Sequence, residues 1–181
     1  MTELRVGERT RQAILDEALK AFCANGFERA ALRELADQLG ITTAALYYYF
    51  DSKADILASL VEPLLDDLDE VVHGPLTESS EVLGAAFDVL LKHRTVVMLV
   101  VRDRAVALQP GIGDRLEKQR TQLLDRLTAT AGDEAAAVLA TAALGALLRP
   151  LVDLADVDLQ PHRDLLVTAS TALLSHAHPR T

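Results

Sequence analysis

Residues 31–53 read ALRELADQLGITTAALYYYFDSK, and this stretch decides the fold. Leu32, Leu35, Ala36 and Leu39 recur at the three- and four-residue spacing of one helix face. Gly40 offers the positive φ that a sharp turn needs, and Ile41 plugs the angle after it. A second helix then starts at Thr42 or Thr43 and runs to Tyr49. Two short helices joined by a glycine turn are the layout that sets one helix into the DNA major groove.

Working outward, a first helix is predicted over about 10–25, where Ile14, Ala18 and Phe22 recur every fourth residue with Leu15 and Leu19 alongside. Gly26 is a left-handed stop, and Phe27 packs back on the core. Downstream, Asp51-Ser52-Lys53-Ala54-Asp55 starts a fourth helix: Ser52 caps the free amides and Asp55 reaches back, as in a capping box. It continues to about Val72, and Gly74-Pro75 ends it. Five more helices are expected over about 78–92, 94–107, 114–131, 134–155 and 161–176. Asp133 would cap the one at 134, and Pro161 suits the first turn of the last, with a frayed tail from His176. The expected fold class is therefore all-α with about nine helices. A three-helix helix-turn-helix domain occupies 1–52 and a helical domain 53–181.

The chain has 181 residues, half of them hydrophobic, enough for one or two compact units. The single cysteine, Cys23, shares a helix side with Ala18, Leu19 and Phe22 and is expected in the core, so no disulfide framework exists and the setting is a reducing cytoplasm. The first twelve residues hold no apolar stretch, which argues against a signal peptide. Net charge is −9, an unusual balance for a nucleic-acid binder. Residues 1–60 hold seven Lys/Arg against nine Asp/Glu, and the remainder holds eleven against eighteen, so the acidity lies mostly outside the helix-turn-helix. Arg5, Arg9, Arg11 and Lys53 are local basic points, and weak non-specific binding with a modest salt slope follows.

On a wheel of about 100° per residue, Leu46 and Phe50 of the second short helix share one side. Ala44 and Tyr48 point away from them, with Ala45 and Tyr47 on the flanks. An outer face of Thr43, Ala44, Ala45 and Tyr48 lacks the charges of a solvated face. Its methyls can touch thymine methyls, and its hydroxyls can read a donor or an acceptor. Tyrosine hydroxyls and a lysine at a helix start suit phosphates. A packing cluster is the competing reading of Tyr47, Tyr48 and Tyr49, but three consecutive helical aromatics cannot all face one core.

Three parts of residues 9–60, ILDEALKAFCANGFE, LRELADQLGIT and LYYYFDSKADIL, together resemble the DNA-binding core of the TetR family of bacterial transcriptional regulators. The resemblance implies that Thr42, Thr43, Ala44, Ala45 and Tyr48 face the groove. It also implies that Tyr47, Tyr49 and Lys53 hold the backbone, and that Arg9 reaches an adjacent phosphate or minor groove. One position departs from the pattern: Ala30 and Ala31 stand where family members carry a capping Ser or Thr, a loss on the order of 1 kcal/mol of helix stability. The family further implies a dimerising second domain with a small-molecule effector pocket, whose ligand shifts the spacing of the two DNA-reading heads.

Residues 135–148, AAAVLATAALGALL, carry no charge. The run falls short of the roughly 20 residues of a membrane span. It is read instead as a helix buried against its own domain and a partner subunit, with no membrane involved. Leu139, Ala142, Gly145 and Ala146, with Leu166, Ala169 and Leu173 of the last helix, would form a four-helix homodimer interface. Phe87 is the one aromatic beyond residue 60, so an aliphatic or small polar effector suits the second domain better than a flat aromatic one. Phe87, Met98, Arg102 and Arg149 are the pocket candidates. A core role for Met98 and surface ion pairs for the arginines, Arg149 with Asp153 at i+4, are the plainer readings.

Chemistry of other kinds is poorly represented. Glu70 and His73 have the Glu-x-x-His spacing of di-iron bundles, but that site needs a second copy and two more glutamates. Gly111-Ile112-Gly113 lacks the third glycine and the preceding strand of a dinucleotide site. No cofactor, no metal and no enzymatic activity are expected. The reading is a repressor binding double-stranded DNA at a palindromic operator. Its alternative is a ligand-binding or interaction protein of the same fold with weak or no DNA binding.

Overall fold

The computed structural model describes residues 6–128 and 134–175. Arg5, the cap expected at Asp133 and the tail from His176 lie outside them. The described residues form ten α-helices and one 3-10 turn, with no strand. The helices are α1 (Val6–Asn25), α2 (Leu32–Leu39), α3 (Thr43–Tyr49), α4 (Lys53–His73) and α5 (Ser79–Lys92). They continue as α6 (Arg94–Arg102), α7 (Arg104–Ala107), α8 (Ile112–Thr128), α9 (Glu134–Asp153) and α10 (Arg163–Ser175), the 3-10 turn being Gln160–His162.

The all-α expectation holds, and the differences are local. The helix predicted over 94–107 is two helices, because Asp103 leaves helical geometry at φ −106°, ψ 100° and its carboxylate accepts the Ala105 N–H at 2.9 Å. Asp is a favoured helix-starting residue, so it ends α6 and begins α7. The first helix starts at Val6, ahead of its apolar stripe, with Glu8 in its first turn complementing the helix dipole. The Gly111-Ile112-Gly113 pattern has a structural use. Gly111 adopts φ +82°, and a Cβ on Gly113 would stand 2.2 Å from the Ala107 carbonyl oxygen.

The chain divides into two compact units. One comprises residues up to Pro63 with Leu99–Gly113, and the other Leu64–Met98 with the residues from Asp114. The helix-turn-helix lies in the first of these units, which also takes in a segment distant in sequence. Its core contains Ile14, Ala18, Phe22, Phe27, Leu35, Leu46, Phe50 and Ile56, all buried. Phe22 and Phe27 meet edge to face, with centroids 5.3 Å apart. Gly26 at φ +81° and Gly40 at φ +66° make the left-handed turns that follow α1 and α2. The core expectation for Cys23 is wrong: it is exposed, because it sits one position past the stripe that ends at Phe22.

In the other unit, α5, α9 and α10 pack on one another. Phe87, Leu83, Ala140, Leu147, Leu151 and Val167 lie in its buried core. Two arginines terminate helices. Arg94 donates to the carbonyls of Leu151 at 2.9 Å, Leu154 at 2.5 Å and Val157 at 2.7 Å, closing α9. Arg126 donates to the carbonyls of Val71 at 2.6 Å, Val72 at 2.7 Å and Leu76, closing α4. Gln119 is buried. Its amide nitrogen donates to Leu65 O at 2.6 Å and Asp69 Oδ1 at 2.8 Å. Arg115 also binds Asp69, with Nε 3.1 Å from Oδ2, and binds Asp66 at 2.6 Å. The Gln119 bond, with help from Arg115, holds the Asp69 carboxyl below its ordinary value.

The uncharged run 135–148, too short by itself for a span, lies within a longer helix. Helix α9 has 20 residues and is long and apolar enough, by length and composition, to cross a membrane. Within its unit it buries Ala136, Ala140, Ala143, Leu147 and Leu151, a one-sided stripe at helical spacing.

Candidate DNA-reading surface

Helix α3 is fixed at both ends. Thr42, at φ −78°, ψ 152°, accepts the Ala45 N–H on its Oγ1 at 3.0 Å, so its hydroxyl caps the helix while the residue stays exposed. At the other end Phe50 is buried, with the Arg11 guanidinium 4.8 Å above its ring. Arg11 also donates to Ser59 Oγ at 3.0 Å. Between these anchors Leu46 alone is buried. Ala44 is exposed, Thr43 and Ala45 are half-buried, and Tyr47 and Tyr48 are 50% and 84% exposed. Tyr49 is half-buried and meets Tyr48 edge to face at 5.2 Å. Position 7 in the first turn of α1 lies against the Tyr49 hydroxyl, 4.0 Å from where a Cβ on Gly7 would stand. Arg9 is exposed and sits inside α1 rather than in an arm before it.

The approach to α2 is held differently from the usual way. Its N-cap residue, Ala31, has the extended geometry of a cap, φ −97°, ψ 126°, but no side-chain bond. Lys53 lies underneath: its ammonium donates to Glu28 O at 2.8 Å and Ala30 O at 3.1 Å, 4.9 Å from the Phe27 ring centre. The capping box of α4 forms as expected on one side, Ser52 Oγ accepting the Asp55 N–H at 3.1 Å. The return bond goes one residue further back, from Asp51 N–H to Asp55 Oδ2 at 3.2 Å. Asp103 is the residue sequence reasoning missed. Its Oδ2 accepts the Phe27 N–H at 2.6 Å. A capping Asp breaking an otherwise apolar helix was the available signal for α7, but no local pattern points to Phe27, 76 residues away.

Of the four pocket candidates, Arg102 falls in the first unit and Phe87, Met98 and Arg149 in the second. Phe87 is fully buried in the core of its unit. Met98 is half-buried, and Arg102 is exposed and belongs to the first unit. Arg149 is exposed, with both Asp153 oxygens within 2.8 Å. A cleft of about 450 Å³ on the second unit is lined by other residues, among them Asp67, Val71, Leu76 and Val89. On α9 and α10, Ala142 and Ala169 are exposed, and Leu139, Gly145, Ala146, Leu166 and Leu173 are half-buried. Val138 and Leu165 add exposed apolar surface to the same helices, and a Cβ on Gly145 would meet open space. Among the described residues no three His, Cys, Asp or Glu form a metal-ready group. His73 Nδ1 instead donates to Asp69 O at 2.9 Å.

Comparison with known proteins agrees with this geometry. Residues 14–60 match the family model described as bacterial regulatory proteins, tetR family. The regulator TtgR of Pseudomonas putida is 28% identical over 100 residues, which are 55% of this chain and 48% of that protein. The repressor KstR2 of Mycobacterium tuberculosis is 29% identical over 129 residues, 65% of this chain and 64% of that one. The chain thus spans from about half to just under two thirds of these relatives. The solved structure of the M. tuberculosis KstR2, a ketosteroid transcriptional regulator, superposes with a TM-score of 0.72 over 92% of this chain and 94% of that one, at 19% identity. AmtR of Mycobacterium smegmatis gives 0.67 over 99% and 92%, at 20% identity. Residues 14–60 are thus similar to the tetR family of bacterial regulatory proteins, and the chain shares the fold of these solved regulators.

Proposed function

We propose that the protein is a transcriptional repressor that reads double-stranded DNA with α3 and is released by a small-molecule effector. The observation that carries this is the outward face of α3. Tyr48 is 84% exposed and Ala44, one turn before it, is exposed too, on a helix whose other side is anchored by buried Leu46 and Phe50. Small residues and hydroxyls on a rigid helix suit close approach to base edges. In this reading Thr42, Thr43, Ala44, Ala45 and Tyr48 meet the groove, and Tyr47, Tyr49, Arg9 and Lys53 serve the phosphates. The family match falls on this segment, which disfavours a fold-sharing protein without DNA binding.

Residues 1–52 form the reading part and 53–181 the effector and dimerising part. The homodimer forms through the exposed apolar and small residues of α9 and α10, and its two-fold symmetry calls for a palindromic operator. Of the pocket candidates, Met98 is the half-buried side chain free of a core or ion-pair role described above. The protein acts in the cytoplasm, without cofactor or metal. The test is nuclease footprinting on DNA upstream of its own gene and of the neighbouring genes. Two protected half-sites related by symmetry are expected, and absence of any sequence-selective complex overturns the reading.

A further inference from the structure

The segment 26–31, between α1 and α2, is gripped from two sides. On its amide side, Asp103 Oδ2 accepts the Phe27 N–H at 2.6 Å while Oδ1 accepts the Ala105 N–H at 2.9 Å. One carboxylate thus joins this segment to the start of α7. On its carbonyl side, Lys53 donates to Glu28 O and Ala30 O. Gly26 starts the segment at φ +81°, a backbone conformation that favours glycine, with Asp103 Oδ2 3.4 Å from where its Cβ would stand. The segment leads into α2, which has eight residues and an N-cap alanine with no side-chain bond. Helices this short do not stand alone in water, so anchors outside α2 decide where it sits. Helix α3 packs on α2.

We propose that Asp103, far outside the helix-turn-helix in sequence, is a positioning residue for DNA reading, acting through the Phe27 amide. It takes over, with Lys53, the task that a hydroxyl cap before α2 would perform. A bond from a carboxylate to a backbone amide is among the stronger ones available to a loop. Without it, the α2–α3 pair samples orientations in which α3 no longer fits the groove. Selective DNA affinity then falls in proportion to the fraction that remains competent. Non-selective binding depends on phosphate charge and does not require that orientation. The inference rests on the DNA-reading function proposed above.

The test compares wild type with Asp103→Ser and Asp103→Asn. Serine keeps an oxygen suited to capping α7 but gives up the bond to Phe27. Asparagine keeps one acceptor at full length without the charge. The probes are a labelled duplex from immediately upstream of the protein's own gene and a scrambled duplex of equal composition. Amide exchange at Phe27 is followed by NMR. Asp103→Ser is expected to bind the upstream duplex about tenfold more weakly, with scrambled binding unchanged and the Phe27 amide exchanging faster. Asp103→Asn should recover part of both. Selective affinity within about twofold of wild type, or equal losses on both duplexes, overturns the proposal. If Asp103→Ser does not fold, Asp103→Asn decides: selective affinity should fall in step with faster Phe27 exchange, and faster exchange with unchanged selective affinity overturns the proposal. If wild type shows no selective binding, the DNA-reading function fails and this role for Asp103 with it. Faster Phe27 exchange in the variants would then still establish the clamp.

Discussion

Lys53 illustrates how a residue's position in sequence and its job in the fold can differ. Its place at a helix start and the family pattern both suit a phosphate contact, and in the structure its ammonium already serves two carbonyls of the α1–α2 segment. Lys53→Met keeps the stem over Phe27 and removes those bonds. It is expected to lower the melting temperature by about 2–4 °C, a loss near 1 kcal/mol, measured by calorimetry. An unchanged melting temperature with a flatter salt slope would instead assign Lys53 to phosphates alone. Cys23 and Asp103 show where sequence reading stops. One residue of drift around a helix moved Cys23 from core to surface. The Asp103 bond links residues too far apart in the chain for any periodicity to reveal. By contrast Gly26, Gly40 and the Ser52 cap were legible, because each is a local backbone requirement written in one or two residue types.

At the scale of elements, α2 is the weak point. Ala31 has the backbone geometry of a helix cap without a side chain to complete it. Ala31→Ser is therefore expected to stabilise the protein by about 1 kcal/mol, raising the melting temperature by roughly 2–4 °C. No gain would mean that Asp103 and Lys53 already hold the segment fully. Helices α4 and α8 carry a pH dependence. Asp69 lies below its ordinary value chiefly through the Gln119 bond, and Asp67 chiefly through Lys92 and then His93. A carboxyl so lowered binds fewer protons folded than unfolded, so its stabilisation is complete above the ordinary carboxylate range and is lost as pH falls through it. Denaturant midpoints should hold from neutrality to about pH 5 and drop as pH falls below about 4, and Asp69→Asn should flatten that slope. Helix periods exposed most of the elements to sequence reading. The break at Asp103 was hidden because the apolar pattern of 94–107 runs through it, whereas the extent of α9, expected over about 134–155, was legible.

For the whole molecule, the proposed homodimer would tie two readers to one operator. Val138 and Leu165 are 62% and 67% exposed on helices that also carry Ala142, Gly145 and Ala169. Changing both to Asp should leave helical content intact and yield a monomer by analytical ultracentrifugation, with selective DNA binding lost. A variant that stays dimeric would place the interface elsewhere. The all-α architecture and the helix-turn-helix were readable from the chain because a 3.6-residue period and two glycine turns specify them. The proposed effector site was not, since no residue pattern marks a cavity between helices. The claim on which the rest depends is that α3 reads bases through its outer face. Fluorescence anisotropy of the upstream and scrambled duplexes, with wild type and Tyr48→Ala at two salt concentrations, tests it most directly. Wild type should prefer the upstream duplex at both salts, and Tyr48→Ala should lose about tenfold of that preference while keeping the same salt slope. Equal affinity of wild type for both duplexes, or a Tyr48→Ala variant with full preference, would contradict the account.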